Sequence, residues 1–369
     1  MSLNILVAPD KFKGTLTAQA AAEAIQCGWS RVRPDDRLEL APMSDGGDGF
    51  GAIISGILGA ELRTTRTVDA AHRPCEAEWG WAPGTHTALI EAARVNGLAQ
   101  LPPGKYHPFE LDTFGLGAVL TAAAEAGAVR CVMGIGGSAT NDGGFGVARA
   151  CGGRFVDGAG REIERWTGLE ALARIELPAR HLFEEFTVAV DVQNPLLGVQ
   201  GCARVYGPQK GLRAEDFPVA DRTLGRLAEV VRGQMGFDAA NEPGAGAAGG
   251  LGFGLRSFLG ARLVPGFQLF SDYAKLPKRL ESIQLVLTGE GALDAQTLMG
   301  KGVGELAALC RKLQVPCLGL AGVVPDAARA RELFTRTYAM TPDLTTPEKA
   351  RADAAPWLAE AAAQAARAW

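Results

Sequence analysis

One stretch limits the fold more than any other: Gly134-Ile-Gly-Gly-Ser-Ala-Thr-Asn-Asp-Gly-Gly144, set between an apolar run and a short periodic one. Val129-Arg-Cys-Val-Met133 before it reads as a buried strand, and Phe145-Gly-Val-Ala-Arg-Ala-Cys151 after it as a short helix. Strand, glycine loop and helix in that order is the repeating unit of parallel α/β sheets. Glycines tolerate positive φ, so such a loop can turn backbone N–H groups inward, and the helix N-terminus adds partial positive charge. Gly136 and Gly137 would let an anion approach the backbone, and Ser138, Thr140 and Asn141 can hydrogen-bond phosphate oxygens, while Asp142 can hold a metal ion. The plainer reading of the same residues is a glycine-rich turn in which Asn141 or Asp142 caps the helix.

The same alternation occupies both ends of the chain. Ile5–Ala8 is expected as a strand, Thr17 as the cap of a helix from Ala18 to about Arg31, and Leu38–Met43 as the next strand. A loop with three glycines, Ser44 to Gly49, leads into the helix Phe50–Leu58. Such βαβα order implies a parallel sheet with functional loops at the carboxyl edge of its strands. Near Val68 the character changes. Cys75–Trp81 alternates polar and apolar residues like an antiparallel strand, with Thr87–Glu91 as its partner across a Pro83-Gly84 turn. The strand Thr187–Val190 falls in this region. From Ser282 the βα pattern returns with strands at Ile283–Leu287, Pro316–Ala321 and Arg336–Met340, and one alanine-rich helix from Pro347 to Ala368 closes the chain. The expected fold class is α/β: a discontinuous Rossmann-like parallel-sheet domain over residues 1–68 and 282–369, with a mixed-sheet α/β domain inserted over 69–281.

Composition narrows the function. A chain of 369 residues exceeds one comfortable core. Net charge is −4, and no basic cluster tracks a nucleic-acid backbone, so nucleic acid is not an expected partner. No apolar run reaches the roughly 18 residues of a membrane span, and the first strand begins too early to leave room for a signal peptide. Seven scattered cysteines without a C-x-x-C pair fit a reduced, cytoplasmic chain. The four histidines lack metal-ligand spacing and read as surface-loop residues, and G-x-S-x-G is absent, which disfavours zinc and serine–histidine chemistry.

Polar residues collect instead at strand ends. Asp10, Lys11 and Lys13 follow the first strand; Asp45 and Asp48 follow the second. Asp191 ends Val188-Ala-Val190 with Asn194 beyond it, and Glu290 and Asp294 follow the strand near 283–287, with Lys301 further on. Aspartates, lysines, hydroxyls and glycines are the parts phosphoryl transfer needs: positioning, positive charge, Mg²⁺ held by carboxylates, and one base. Walker-type and protein-kinase motifs are absent. Gly244-Ala-Gly-Ala-Ala-Gly249 matches G-x-G-x-x-G but follows a loop, whereas a dinucleotide fingerprint must follow a strand.

Taken together these residues resemble the bacterial type-1 glycerate kinase family, essentially end to end. The resemblance rests on Ala8-Pro-Asp-Lys-Phe-Lys-Gly-Thr-Leu-Thr-Ala18, Pro42-Met-Ser-Asp-Gly-Gly-Asp-Gly49, Gly134–Gly144, Ala189–Leu196, Tyr206-Gly-Pro-Gln-Lys-Gly211, Pro243–Gly252 and Thr288–Thr297. Ser44, Phe50 and Asp112 depart from the pattern. The resemblance implies ATP-dependent phosphorylation of D-glycerate, usually at the 2-hydroxyl, and two α/β domains with the active site in the cleft. On that frame Asp191 is expected as general base or Mg²⁺ ligand, with Lys13 as the second catalytic group. Lys11, Lys13 and Arg66 would bind the substrate carboxylate or transferred phosphate, beside Asp10, Asp45 and Asn194. The loops 134–144 and 244–252, the latter through Gly246 and Gly249, would hold nucleotide phosphates. Asp142, Glu290 and Asp294 are the metal candidates. A kinase of a related hydroxy acid and a catalytically idle nucleotide-binding regulator are the other readings. The 2- or 3-position and homo-oligomer formation stay open.

Overall fold

The computed structural model describes residues 2–47, 49–298 and 302–369; Asp48 and Lys301 lie outside them. Its strands are β1 (Asn4–Val7), β2 (Arg37–Leu40), β3 (Glu61–Val68), β4 (Pro74–Ala82), β5 (Thr87–Glu91), β6 (Arg130–Gly134), β7 (Arg154–Asp157), β8 (Leu172–Glu176), β9 (Glu185–Val190), β10 (Arg262–Pro265), β11 (Leu285–Ala292), β12 (Cys317–Val323) and β13 (Arg336–Thr341). Two compact units result: residues 1–45 with 267–369, and residues 46–266.

The first unit is built on a five-stranded sheet in the order β13-β12-β11-β1-β2, parallel throughout. Every strand therefore ends at the same edge. Leu6 lies beside Val286, and Val7 beside both Leu287 and Leu40, so the residues after β1, β2 and β11 emerge together. Ile5, Val7, Leu285, Leu287, Leu318 and Leu320 are fully buried between helices, with Ile25, Trp29 and Leu358 from the helices that cover them. The helix Ala18–Ser30 starts at the Thr17 cap, whose side chain accepts from the Ala20 N–H at 3.1 Å. It packs closely on the helix Ala354–Ala368, because a side chain at Gly28 would collide with the Ala359 backbone. The single closing helix expected from the sequence is two helices, Pro347–Ala352 and Ala354–Ala368. Pro356 explains the break: its ring would clash with the carbonyl four residues back, at Ala352.

The second unit carries a mixed six-stranded sheet, β10-β9-β6-β5-β4-β3, and a small antiparallel pair, β7-β8. β5, β6, β9 and β10 run parallel, whereas β4 is antiparallel to β3 and β5. Glu91 of β5, Gly134 of β6 and Ala189 of β9 stand side by side at one edge. Two cores flank this arrangement. One gathers Trp79, Trp81, Ile90, Leu120, Val188 and Leu251. The other gathers Phe145, Phe155, Trp166, Leu224, Leu227 and Phe253. β3 lies upstream of the composition change at Val68, yet it pairs with β4 over its whole length. The compact units accordingly divide at 45/46 and 266/267, where the sequence reading sets 68/69 and 281/282. All seven cysteines are free thiols, four of them buried. Among the described residues no helix is long and apolar enough to cross a membrane.

Candidate active site

In the first unit the carboxyl edge of the parallel sheet gathers carboxylates. Asp10 follows β1 and is 8% exposed; its N–H donates to the Gly289 carbonyl of β11 at 2.8 Å, and its Oδ1 accepts from the Lys11 N–H at 2.6 Å. Burial, and then the neighbouring Asp45, push its pKa up to about 7. Glu290 sits in the half-buried end of β11 and accepts from the Thr297 hydroxyl at 2.7 Å. Burial lifts it to about 7 despite that bond, with Asp10, Asp45 and Asp294 adding repulsion. Glu305, in the first turn of the helix Val303–Lys312, is raised by burial and by Asp45. Gly302 before that helix lies close to both acids: a Cβ there would stand 3.3 Å from the Asp45 Cβ and 3.5 Å from Asp10 Oδ2. Lys13 is exposed in the tight turn Phe12–Leu16, and its backbone N–H lies beside Gly291 of β11. Asp10, Lys11, Lys13, Asp45, Glu290 and Asp294, scattered over 285 positions of sequence, are thus neighbours along one sheet edge.

Carboxylates that repel each other in a desolvated site bind cations, whose charge relieves the repulsion. Among the described residues no three His, Cys, Asp or Glu side chains converge tightly enough to ligate one ion.

The second unit offers a different set of groups at the ends of β5, β6 and β9. Asp191 follows β9 and is half-buried; its charge helps burial to raise the Tyr206 phenol to about 12. The Tyr206 hydroxyl donates to Asn194 Oδ1 at 2.6 Å, and Asn194 Nδ2 donates to the Gln200 carbonyl at 2.9 Å, so Asn194 orders the loop beyond Asp191. Glu91 ends β5 and accepts from the Gly51 N–H at 3.0 Å, capping the helix Phe50–Leu58. The sequence reading missed Glu91, although it obeys the rule that selects Asp191: a carboxylate closing an apolar strand.

The loop after β6 is a folded object in its own right. Gly137 has φ of +76° and its carbonyl accepts from Leu98 N–H at 2.9 Å. The Ser138 and Thr140 hydroxyls are 2.9 Å apart, and the Thr140 N–H donates to Ser138 Oγ at 3.1 Å. Gly136 packs on Gly47, whose Cα would lie 2.8 Å from an added Cβ. Asn141 is fully buried, and its side-chain amide has no protein partner among the described residues.

Asp142, one of the metal candidates, caps its own loop. Its fully buried carboxylate accepts from Thr113 N at 2.9 Å, Thr113 Oγ1 at 2.7 Å, Gly144 N at 3.2 Å and Gly146 N at 2.9 Å. Burial, then Asp112, raise it to about 6 against those bonds. At Gly246 and Gly249 the space of a side chain is filled by the Pro195 and Thr140 backbones. Gly246 thus packs on the Asn194–Pro195 backbone and Gly249 on the Thr140–Asn141 peptide of the glycine loop. Arg66, on the edge strand β3, is 91% exposed and pairs with Glu76 across the strand at 3.5 Å.

Parallel strands ending in acids and lysines, with a glycine loop rich in hydroxyls and amides, form the equipment of an α/β phosphotransferase. The chain belongs to the glycerate kinase family, whose profile it matches over residues 5–369. It is 39% identical over 322 residues to "Glycerate kinase" of Halalkalibacterium halodurans, covering 86% of this chain and 85% of that one. It is 37% identical over 329 residues to "Glycerate 2-kinase" of Escherichia coli K12, covering 88% and 86%. A crystal structure described as glycerate kinase 2 of Salmonella typhimurium LT2 superposes with a TM-score of 0.83 at 31% identity, covering 100% of this chain and 98% of that one.

Proposed function

We propose that this chain transfers the γ-phosphoryl group of ATP to the 2-hydroxyl of D-glycerate, giving 2-phosphoglycerate and ADP. The observation that carries the reading is the family match over nearly the whole chain, in which the strand-end acids and the glycine loop are all present. The name of the Escherichia coli relative supports the 2-position. In the step proposed, the glycerate 2-hydroxyl oxygen forms a bond to the γ-phosphorus while the bond from that phosphorus to the bridging oxygen breaks, and ADP leaves. Asp191 takes the hydroxyl proton, as a half-buried carboxylate at a strand end is suited to do. Gly136, Gly137, Ser138, Thr140, Asn141, Gly246 and Gly249 are assigned to nucleotide phosphates, with Gly249 also packing on the Thr140–Asn141 peptide. Asp10, Lys11, Lys13 and Asp45 are assigned to substrate, with Lys13 stabilising charge on the transferring group. Mg²⁺, when bound, neutralises phosphate oxygens; Glu290 and Asp294 are the side chains assigned to hold it. A cytoplasmic location and an inserted-domain organisation belong to the same proposal.

The test is turnover measured by coupled ADP release over a panel of short hydroxy acids. D-glycerate should exceed L-glycerate, lactate, glycolate and tartronate in kcat/KM by at least tenfold. Equal rates across the panel, or ADP release independent of any acid, would refute the substrate assignment.

A further inference from the structure

The segment Tyr206-Gly-Pro-Gln-Lys-Gly211 contains a lysine that the mechanism above does not use. Lys210 ends the short helix Gly207–Lys210 and is only 7% exposed. Its Nζ donates to the Thr140 carbonyl at 2.7 Å. Burying an ammonium costs several kcal/mol, and an apolar side chain of similar length would fill the space at less expense. The charge is therefore kept for something other than packing. What it touches is the glycine loop, at the peptide joining Thr140 to Asn141.

That peptide is unusually constrained. Ala139 N–H donates to the Asn96 carbonyl at 2.8 Å, and Asn96 Nδ2 reaches Thr140 Oγ1 at 3.4 Å. Gly249 packs against the Thr140–Asn141 peptide, the Thr140 carbonyl oxygen being the nearest atom to where a side chain would stand. In a trans peptide the C=O of one residue and the N–H of the next point to opposite sides of one plane. An ammonium fixed on the Thr140 oxygen consequently aims the Asn141 N–H away from Lys210. Among the described residues neither that N–H nor the Asn141 side-chain amide meets a protein partner, although Asn141 is fully buried. Buried donors of this kind are rare and call for a ligand or solvent to complete them.

We propose that Lys210 is a positioning residue: by holding the Thr140 carbonyl it presents the Asn141 N–H and amide to the anionic ligand of the loop. The identity of that ligand as the nucleotide's phosphates rests on the function proposed above. Burial lowers the Lys210 pKa to about 8, with Cys202 and Asp142 opposing the drop. The Cys202 thiol is itself pushed up to about 12 and Asp142 sits at about 6, so of the groups facing the ammonium only Lys210 changes charge between pH 7 and 9.

The experiment compares Lys210→Met, Lys210→Arg and wild type in steady state from pH 6.5 to 9.5, with Ser138→Ala as the marker of what the loop binds. Lys210→Met should raise the KM for ATP about tenfold, leave kcat within threefold and the D-glycerate KM within twofold, and melt no lower than wild type. In the wild type the KM for ATP should climb above pH 8; in Lys210→Arg it should stay level to pH 9.5. An unchanged KM for ATP in Lys210→Met, or a fall in every parameter in step with a lower melting temperature, would overturn the proposal. So would a wild-type KM for ATP that is flat across pH 7–9, which covers the case where the variants fail to fold. If Ser138→Ala instead raises the D-glycerate KM, the nucleotide assignment fails, and Lys210 keeps its role only if Lys210→Met raises that same constant.

Discussion

Replacing Asp142 by alanine tests whether the glycine loop is held by its own carboxylate. The substitution strips four hydrogen bonds at once: three from the Thr113, Gly144 and Gly146 N–H groups and one from the Thr113 hydroxyl. Each buried donor left without a partner costs about 1–3 kcal/mol. Against that, the raised pKa means the folded protein already carries a penalty for keeping the carboxylate charged. A rise from 3.8 to about 6 corresponds to roughly 3 kcal/mol. The net loss at neutral pH should be about 3 kcal/mol. The sign of the pH dependence follows from the direction of the shift. Because the folded pKa is raised, the favourable contribution of Asp142 is fully present below pH 4 and is lost as pH rises through about 6. The gap between wild type and Asp142→Ala should thus be wider at pH 4.5 than at pH 7.5, by about 2 kcal/mol. Urea unfolding at the two pH values reads this directly. A gap below about 1 kcal/mol at neutral pH, or one that widens with rising pH, would refute the reasoning.

Other perturbations test other parts. Asp191→Asn should lower kcat about 100-fold or more while ATP still binds, since a positioned general base contributes roughly 10²–10⁴; near-wild-type turnover would remove Asp191 from the proton transfer. Gly137→Val places a β-branched side chain at φ of +76° and should weaken ATP binding by calorimetry about tenfold or more; unchanged affinity would make the loop a turn only. The raised pKa values of Asp10 and Glu290 mean that their contribution to stability falls as pH rises through about 7. Mg²⁺ should therefore raise the melting temperature by several degrees at pH 8 and by little at pH 5, and equal shifts at both would place the ion elsewhere.

Much of this architecture is legible in the sequence because it is local. Phe50–Leu58 and Thr87–Glu91 carry their own periodicity and appear at the expected residues. Asp10, Asp45 and Glu290 could be picked out because each follows an apolar run, and the parallel sheet brings such positions to one edge. β3 escaped notice because Glu61–Val68 is an edge strand with little apolar periodicity: Glu61, Thr64 and Arg66 face solvent, while its half-buried face is made of Arg63, Thr65 and Thr67. The roles of Gly246, Gly249, Asp142 and Lys210 depend on contacts made over long stretches of chain. Lys210 meets Thr140 across 70 residues, and Gly249 meets it across more than 100. No local pattern separates a glycine that admits a phosphate from one that admits another loop. Arg66, a cation in an otherwise uninformative stretch, reads as a ligand group, and its pairing with Glu76 across β3 and β4 is visible only once the strands are placed.

The central claim is phosphorylation of D-glycerate at its 2-hydroxyl, and the product itself tests it most directly. Purified protein should be incubated with ATP, Mg²⁺ and D-glycerate, and the product examined by phosphorus NMR with proton coupling. The account predicts a phosphorus signal split into a doublet by the single methine proton at C2. A triplet from the two methylene protons at C3 would contradict the 2-position, and absence of any phosphoglycerate under turnover conditions would contradict the function.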